Sequence, residues 1–455
     1  MCRMSDRAVS AILKKGKIYE VGGAVRDRML NRGIDIKDRD YLVCGIPYLE
    51  LSDILRKFGQ VDLVGRSFGV IKFAQSHGDE KHTFDVALPR KEHSTGVGHR
   101  DFAVSFDPDL KIENDLGRRD FTINAMAVSL DNDEFIDPFG GQSDIKNRLI
   151  RMVSPDSFPE DPLRMLRAIQ FAARFEFEIE PATYSALKEN ARLIESVSAE
   201  RINEEFNKLL ILADRPSLGF RLMLTSDLLK YILPEVETMV GVEQPGGYHK
   251  YDVFEHTLHT IDAAPRVLHI RLAALFHDVS KPQTRNLLEN KATFYGHEKI
   301  GAKVAAKIMK RLRYSADLIA AVSLLIDKHM FTTDVTEKGM RRLIRKVGPE
   351  LIFDLLDLRR ADVKAQAMGG TTEDVDQFEE NIRAELEKKP PFSVRDLAIG
   401  GRDIMEIFKI PQSPLIGEIL EYLMEKVLDE PGDNTREKLL EFARAYVTEK
   451  SQKNN

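Results

Sequence analysis

The sequence of 455 residues contains only two cysteines, Cys2 and Cys44. Two thiols exclude a disulfide framework and a zinc site built from cysteines. No apolar run approaches the roughly 18–20 residues that cross a bilayer, and the N-terminus lacks the apolar core of a signal peptide. We therefore expect a cytoplasmic protein with reduced thiols and no membrane partner. The net charge of −6 argues against a surface that binds nucleic acid everywhere, although local basic patches remain compatible with it.

Length and periodicity predict a multidomain α+β chain. Its 455 residues exceed the roughly 100–200 residues of a typical domain. Short β-like runs alternate with two helical patterns from residue 16 to about 150, whereas an apolar period of about 3.6 residues dominates after Pro159. Breaks rich in proline and glycine mark boundaries in the helical part. We predict a small mixed-sheet domain over 1–150 and helical segments over 151–240, 241–368 and 369–455.

A glycine turn and a pair of aspartates near the N-terminus indicate phosphate chemistry. Gly22 and Gly23 follow the strand-like run KIYEV, and Arg26 lies early in the next predicted helix. Glycines let the backbone approach phosphate closely, and arginine offers forked donors. On a strand, Asp38 and Asp40 would point the same way, about 7 Å apart, and could share the two divalent ions of nucleotidyl transfer. Each pattern alone is common at turns and on surfaces, so the prediction depends on their order and spacing.

The segment DLGRRDFTINAMA adds cationic side chains downstream of that turn. Asp120 is suited to cap a helix, and Arg118 and Arg119 come directly before it. A capped helix with solvated arginines would explain this segment in isolation. After a phosphate-type turn and a metal-type aspartate pair, contact with phosphate becomes the better interpretation.

The segment EDPLRMLR predicts a helix start that could select a nucleobase. Asp161 lies near the cap, and Arg164 and Arg167 share its face by their spacing. Cytosine and adenine each present an amino donor beside a ring-nitrogen acceptor, so one carboxylate and one guanidinium could satisfy either base. Uracil and guanine present the reverse order, at a cost of roughly 1–3 kcal/mol for each unsatisfied group. An ordinary amphipathic helix with surface arginines is the alternative.

These segments together resemble a known family. VGGAVRD, DRD, RRDFTINAMA, DPFGG and EDPLRMLR, in this order, are similar to the motif series of class II tRNA nucleotidyltransferases, the CCA-adding enzymes. The resemblance implies a nucleotidyltransferase head, a helical neck carrying the nucleotide template, and a body and tail that bind tRNA. It also implies the addition of CCA to tRNA from CTP and ATP with release of pyrophosphate. By this resemblance the catalytic, Mg²⁺-binding residues are Asp38 and Asp40, and the nucleotide contacts are Gly23, Arg26, Arg119, Asp161, Arg164 and Arg167.

Several alternatives remain open at the level of sequence. Related bacterial poly(A) polymerases share much of the motif series, and partial enzymes add only CC or only A. The connection between Arg90 and Asp120 could be a surface hairpin; in the resembling family a flexible loop here helps the switch from C to A, and enzymes that add only CC have it shortened. It looks undeleted, which favours full CCA addition. Asp85 could supply a third acidic group, and the oligomeric state is not predicted.

The second half carries a separate cluster of potential metal ligands within helical sequence. The pattern resembles an HD-domain phosphohydrolase, which implies a second divalent metal and activity as a phosphatase, 2′-nucleotidase or cyclic phosphodiesterase. Ser280 replaces the glycine that usually follows the His-Asp pair by two positions, which puts close backbone packing in question. A rival interpretation makes this half the principal enzyme and the head a nucleotide-binding module. The candidate ligands are His256, His277, Asp278, His297, His329 and Asp362.

Overall fold

A seven-stranded mixed sheet lies in the first of the two units into which the chain divides. The computed structural model describes residues 3–30, 39–65, 69–77, 80–94, 102–245, 250–288, 291–366 and 370–453. The first unit contains Met1–Glu237 and Arg311–Arg313, and the second contains Thr238–Lys310 and Tyr314–Asn455. The finer division into four segments stays a prediction.

The first unit begins with strands and short helices and continues with helices. Its sheet portion contains α1 (Asp6–Leu13), β1 (Lys17–Val21), α2 (Gly23–Met29), β2 (Asp40–Cys44), α3 (Tyr48–Arg56), β3 (Gln60–Gly65), β4 (Val70–His77), β5 (Glu80–Ala87), β6 (Arg90–Ser94), β7 (Phe102–Phe106), α4 (Ile112–Gly117), β8 (Ala127–Ser129), β9 (Phe135–Ile136), α5 (Gly141–Asn147) and β10 (Leu149–Ile150). Its helical portion contains α6 (Ser157–Glu160), α7 (Leu163–Phe175), β11 (Glu178–Ile179), α8 (Pro181–Asn190), α9 (Ala199–Leu212), α10 (Pro216–Thr225), α11 (Leu228–Ile232) and α12 (Pro234–Glu237).

Strand β2 occupies the middle of the sheet, whose order is β3-β4-β5-β2-β1-β8-β9. It pairs antiparallel with β1 and parallel with β5. Tyr41 and Val43 pack into one apolar cluster and Leu42 into another, because successive side chains of a strand point to opposite faces. Burial on both faces explains the unbroken apolar run after Asp40. The start of this strand is therefore held by core packing on both sides.

The predicted architecture of a mixed-sheet domain followed by helices is confirmed. The run LRMLRAIQFAARF coincides with α7, and its period of 3.6 residues places ten buried side chains between Leu163 and Phe175. The connection after Arg90 contains the hairpin of β6 and β7, which the sequence had left open as an alternative to a functional loop, and residues 95–101 lie outside the described part. The helical part does contain short strand pairs, β10 with β11 and β12 (Asn286–Leu288) with β13 (Lys291–Thr293).

The second unit is built mainly from helices. Its elements are α13 (Val253–Ala263), α14 (Leu268–Phe276), α15 (Lys281–Thr284), β12 (Asn286–Leu288), β13 (Lys291–Thr293), α16 (His297–Arg311), α17 (Ala316–Lys328), α18 (Glu337–Val347), α19 (Ile352–Ala365), α20 (Glu373–Glu387), α21 (Gly401–Phe408), α22 (Pro414–Asp429) and α23 (Arg436–Lys453). Helix α14 packs against α13, α17 and α19. Helices α21, α22 and α23 share a separate apolar core around Leu423 and Leu439. Within the described ranges, every helix is too short or too polar to cross a bilayer.

Candidate functional site

The central strands bring two carboxylates together at one position of the sheet. Asp40, the first residue of β2, is the register partner of Asp85 in the parallel strand β5. Register partners on adjacent strands lie about 4.8 Å apart and present their side chains on the same face. Lys72 Nζ lies 3.7 Å from Asp85 Oδ1. Asp38 lies outside the described residues. Carboxylate oxygens are the ligands that Mg²⁺ prefers, so this pair fits a divalent cation.

The glycine turn before α2 has the geometry that the sequence predicted. Gly22 has φ of +72°, which disfavours any residue with a side chain. A Cβ atom there would lie 2.5 Å from Arg119 Nη1, so the arginine packs directly on the turn. Arg119 also donates to the carbonyl of Asn124 and to Asp115, each at 3.3 Å. Gly23 begins α2, beside the guanidinium of Arg26.

Arg26 points toward α7 in this structure. Its Nη1 donates to Asn124 Oδ1 at 2.5 Å, and its Nε donates to Asp27 Oδ1 at 2.8 Å. The guanidinium lies over the rings of Phe171 and Phe175, with its carbon 5.2 and 4.9 Å from their centroids. The side chain is buried. Arg26 therefore links the glycine turn to α7, and its contact with a nucleotide stays a prediction.

The sequence suggested that Asp120 caps an α-helix, but the structure places no α-helix directly after it. A single turn of 3-10 helix follows it, over Thr122–Asn124. Its Oδ1 accepts from the amide of Phe121 and from Asn124 Nδ2, at 2.8 and 2.9 Å. Its Oδ2 accepts from Arg167 Nη2 and Nε, at 2.7 and 2.9 Å. Burial would raise the pKa of Asp120, but the charge of Arg167 and these hydrogen bonds hold it below its usual value.

The carboxylate of Asp161 lies at the start of α7, as predicted. Its Oδ1 accepts weakly from the amide of Leu163 at 3.3 Å. Arg201, from α9, donates to both oxygens, with Nη1 to Oδ1 at 3.2 Å and Nη2 to Oδ2 at 2.9 Å. Because an ionised carboxylate has about four lone-pair positions, this fork orients the group and leaves acceptor capacity for a ligand.

Arg164 and Arg167 both turn toward the segment Arg118–Asp120. Arg164 Nη2 donates to the carbonyl of Arg118 at 2.8 Å, and its Nη1 donates to Ser157 Oγ at 3.1 Å. Arg167 binds Asp120 and also donates to Glu205 Oε1 at 3.1 Å. The two predicted nucleotide segments, RRD and EDPLRMLR, are thus hydrogen bonded to one another.

Arg201 was not found from the sequence, because its partner Asp161 is forty positions away along the chain. The segment SAERINEE predicts only a capped helix, which is α9. Asn124, which joins Asp120 to Arg26, was missed for the same reason. A long-range contact between polar side chains leaves no periodic signal in a single sequence.

In the second unit, the six predicted ligands form one buried cluster. Two groups of three could each hold a metal ion, His256 with His277 and Asp278, and Asp278 with His297 and His329. Asp278 Oδ2 lies 3.1 Å from His277 Nε2, and its Oδ1 lies 3.4 Å from His297 Nε2. One carboxylate therefore faces both groups. Asp362 Oδ1 lies 3.0 Å from His256 Nε2 and completes the first group.

Backbone carbonyls fix the tautomers of three of these histidines. The Nδ1 atoms of His277, His297 and His329 lie 2.8, 2.8 and 2.7 Å from carbonyl oxygens three residues earlier. A carbonyl oxygen only accepts, so each Nδ1 carries a proton, and the Nε2 atoms of His297 and His329, whose pKa values burial lowers, direct lone pairs into the cluster. The Nε2 atoms of His297 and His329 are only 3.2 Å apart. Facing lone pairs repel, and a bound cation would relieve that repulsion, so the donor set fits a divalent metal.

The charge states of Asp278 and His329 agree with metal ligation, whereas the charge of Asp278 outweighs burial and raises the pKa of His277. Burial lowers the pKa of His329 to about 3, which keeps the ring neutral. For Asp278, burial acts in the opposite direction, but the charges of His277 and Lys281 hold its pKa well below the usual range. Lys281 Nζ lies 2.7 Å from Asp278 Oδ2. Neutral imidazole and ionised carboxylate are the forms that bind metals.

Ser280 occupies the position where glycine was expected. Its φ is −99°, which any residue adopts, so glycine is not required there. The buried hydroxyl donates to the carbonyl of His297 at 2.7 Å. Gly301, one turn into α16, packs beside it, and a Cβ atom there would lie 3.5 Å from the hydroxyl oxygen, an ordinary van der Waals distance. The serine therefore connects the turn after Asp278 to the first residue of α16.

Comparisons with known proteins agree with this geometry. Residues 18–151 match the family described as the poly A polymerase head domain, residues 176–239 match a probable RNA and SrmB-binding site of polymerase A, and residues 292–443 match a putative domain 2 of tRNA nucleotidyltransferase. The multifunctional CCA proteins of two strains of Actinobacillus pleuropneumoniae, serotypes 5b and 7, are each 36% identical over 358 residues, which cover 76% of this chain and 81% of theirs.

Solved structures share the fold at lower identity. The CCA-adding enzyme of Bacillus stearothermophilus in complex with CTP has a TM-score of 0.71 at 22% identity, covering 99% of this chain and all of that chain. The Thermotoga maritima CCA-adding enzyme complexed with tRNA has a TM-score of 0.54 at 23% identity, covering 97% and 93%.

Proposed function

Because the chain belongs to the family of CCA-adding tRNA nucleotidyltransferases, we propose that it adds CCA to the 3′ end of tRNA from CTP and ATP. The arrangement of the first unit supports this proposal independently of family membership. The carboxylate pair of β2 and β5, the Gly22 turn with Arg119, and the Asp161 helix start all occur in the first unit. A metal position, a triphosphate position and a base-selecting pair are the three parts that nucleotidyl transfer without a nucleic-acid template requires.

Divalent metal is required by this chemistry, and we propose that Mg²⁺ is held by Asp40, by its register partner Asp85 and by Asp38. When bound, such ions lower the pKa of the attacking 3′-hydroxyl and balance charge on the triphosphate. Arg119, stacked on the glycine turn, is placed to donate to phosphate oxygens of the incoming nucleotide. The side chains thus supply orientation and charge for in-line attack, while pyrophosphate leaves.

Base selection would come from Asp161 and Arg164. The carboxylate accepts from the amino group that cytosine and adenine share, and Arg164 donates to the neighbouring ring nitrogen. Arg164 has no hydrogen-bond partner for Nε among the described residues, and its other nitrogens are anchored to Arg118 and Ser157. An anchored guanidinium with a remaining donor suits a fixed template.

Incorporation from each labelled nucleotide onto tRNA lacking its 3′ end tests the function. We expect two C and one A to be added from CTP and ATP, and none from UTP or GTP. Extension by A beyond three nucleotides would instead identify a poly(A) polymerase, and a stop after CC or addition of A alone would identify a partial enzyme. The undeleted hairpin region supports full addition. We place the reaction in the cytoplasm.

We propose a second activity for the cluster of the second unit, a metal-dependent phosphohydrolase acting on phosphate esters. The observation that favours it is the pair of facing Nε2 atoms of His297 and His329, together with Asp278 between two ligand groups. Metals at this position would polarise a phosphate ester and supply a nucleophilic water. Hydrolysis of 2′,3′-cyclic AMP after loading with Mn²⁺ or Ni²⁺ tests this activity. Loss of hydrolysis in His329→Ala with retained CCA addition is expected, and hydrolysis that survives this change would contradict the assignment.

A further inference from the structure

A row of charged side chains crosses four adjacent strands of the sheet in the first unit. Asp62 in β3 is the register partner of Lys72 in β4, and Lys72 is in turn the partner of Asp85 in β5. Asp85 is paired with Asp40, in the middle of the sheet. Register partners on adjacent strands present their side chains on the same face. Lys72 is the cation among these four residues, and it lies two strand spacings, roughly 10 Å, from Asp40.

The face that carries this row is open to solvent between β3 and β5. The alternate side chains of β4 and β5 point the other way, into the apolar core, and they are Ile71, Phe73, Phe84 and Val86. In contrast, the side chains of Lys72 and Asp85 are 51% and 46% exposed. The neighbouring row on the open face consists of Gln60, Ala74 and Thr83, which are uncharged. The end of a polynucleotide can therefore lie across these strands, with Lys72 as the cation beside it.

The glycine turn and Lys72 lie on opposite flanks of Asp40. Gly22 follows Val21, the register partner of Asp40 in β1. Asp85 and Lys72 lie on the other side, in β5 and β4. In nucleotidyl transfer the attacking and leaving oxygens are in line, on opposite sides of the reacting phosphorus. With the triphosphate at the turn, pyrophosphate leaves on the β1 side, and the attacking 3′-hydroxyl approaches from the side of β5 and Lys72.

The positive charge of Lys72 is only loosely paired. Its Nζ lies 3.7 Å from Asp85 Oδ1, which exceeds a hydrogen-bond distance, and both side chains are about half exposed. Such a pair is weak in water. A divalent ion on Asp85 would replace the lysine as its counterion, and the three N–H donors of the ammonium would then be available to a phosphate. Asp62, on the outer side of the row, disfavours a phosphate beyond Lys72.

We propose that Lys72 binds the phosphate of the 3′-terminal nucleotide of the tRNA and thereby aligns the attacking hydroxyl with the carboxylate pair. This inference rests on the proposed nucleotidyl transfer. A nucleotide carries its phosphate on the far side of the sugar from its 3′-hydroxyl, so a hydroxyl at Asp40 and Asp85 places that phosphate one to two strand spacings further, roughly 5–10 Å. Lys72 lies in this interval. A phosphate contact carries no sequence information, which suits an RNA end whose last base changes with each addition.

Addition of C to tRNA lacking its 3′ end measures this contact in a double cycle. One change is Lys72→Ala, and the other replaces the phosphate of the last nucleotide by an uncharged methylphosphonate. Each change alone is expected to lower kcat/KM for tRNA about tenfold and to leave KM for CTP unchanged. Together they should cause little further loss, because either change removes the same contact. Lys72→Arg, which keeps the charge, should retain most of the activity.

Lys57→Ala is the matched control, because this exposed lysine ends α3, which packs on the opposite face of the sheet. An altered metal affinity of Asp85 would add to the methylphosphonate effect instead of overlapping with it. Independent losses from the two changes, unchanged addition in Lys72→Ala, or a raised KM for CTP alone would overturn the proposal. A natural protein that adds no C would refute the proposed function together with this inference, whereas addition with independent losses refutes this inference alone.

Discussion

The contact between Arg201 and Asp161 predicts a change in nucleotide selectivity at a residue that need not touch the nucleotide. Arg201 donates to both carboxylate oxygens of Asp161, at 3.2 and 2.9 Å, and among the described residues the amide of Leu163 is the only other donor to that carboxylate. Without the fork, the carboxylate can rotate away from the position where it accepts from the base. We expect Arg201→Ala to reduce discrimination between CTP and UTP more than it reduces the use of CTP.

The size of this effect follows from the geometry. The side chains of Arg201 and Asp161 are 25% and 21% exposed, so solvent weakens the pair relative to a buried one. A charge-assisted bidentate contact in this setting contributes about 1–2 kcal/mol. If half or more of that orients the carboxylate for the base, the selectivity ratio falls about two- to thirtyfold. Arg201→Lys should give an intermediate value, because one ammonium cannot bridge both oxygens with fixed geometry.

Single-turnover addition to tRNA lacking its 3′ end, with each of the four nucleotides, measures kcat/KM for correct and incorrect bases. Arg164→Ala, which removes a proposed base contact, is the positive reference. Arg192→Ala breaks an exposed ion pair with Glu195 and is the matched control. An equal loss with all four nucleotides at unchanged stability would refute the positioning role of Arg201, as would full retention of selectivity.

Three further predictions concern the two sites separately. Asp40→Asn should abolish nucleotide addition and spare hydrolysis by the second unit, and joint loss of both activities in a folded variant would contradict two separate sites. Ser280→Ala should weaken the binding of the second equivalent of Mn²⁺, measured by equilibrium dialysis, about three- to tenfold, because it frees the carbonyl of His297. Unchanged Mn²⁺ affinity would argue against a role for this hydrogen bond in holding the ligands. Asp120→Asn should lower the free energy of unfolding at pH 7 by about 2 kcal/mol, somewhat below the figure for fully buried pairs because Arg167 is partly exposed. Because the folded pKa of Asp120 is depressed, this contribution is present above its unfolded pKa and is lost as pH falls through the folded value, so urea titrations of the two proteins should converge in acid.

The order of secondary structure could be predicted because it depends on local apolar periodicity. Strand β2 and helix α7 are each set by their own buried faces, which a single sequence displays directly. Asp120 shows where that reasoning stops. Its residue type suits a helix cap, yet its hydrogen bonds to Asn124 and Arg167 hold a 3-10 turn instead. The carboxylate of Asp120 hydrogen bonds to the strongest donors within reach. One of them, Arg167, lies forty-seven positions away along the chain, so the local sequence does not reveal it.

In the candidate sites too, the sequence predicted the residues that carry chemistry but not the contacts that orient them. The histidines and aspartates of the second unit were predicted as one set, and the structure resolves them into two groups that share Asp278. The glycine that was expected at position 280 turned out to be unnecessary, because the backbone there keeps a negative φ. Residue type and order therefore predicted which side chains carry chemistry, but the partners that orient them required coordinates.

The proposed sites hold several of their carboxylates in the same way. Asp161 is gripped by Arg201, Asp278 by Lys281, and Asp362 by Arg359. At the buried Asp278 and Asp362, neighbouring positive charges keep the pKa of the carboxylate low, whereas at the partly exposed Asp161 the cation fixes the orientation of the group. A single cation uses only part of the acceptor capacity of each carboxylate, so lone pairs remain for a ligand. The cationic partner should thus be as necessary as the carboxylate itself, and a substitution such as Arg201→Ala should impair selection although it removes no group that contacts the base.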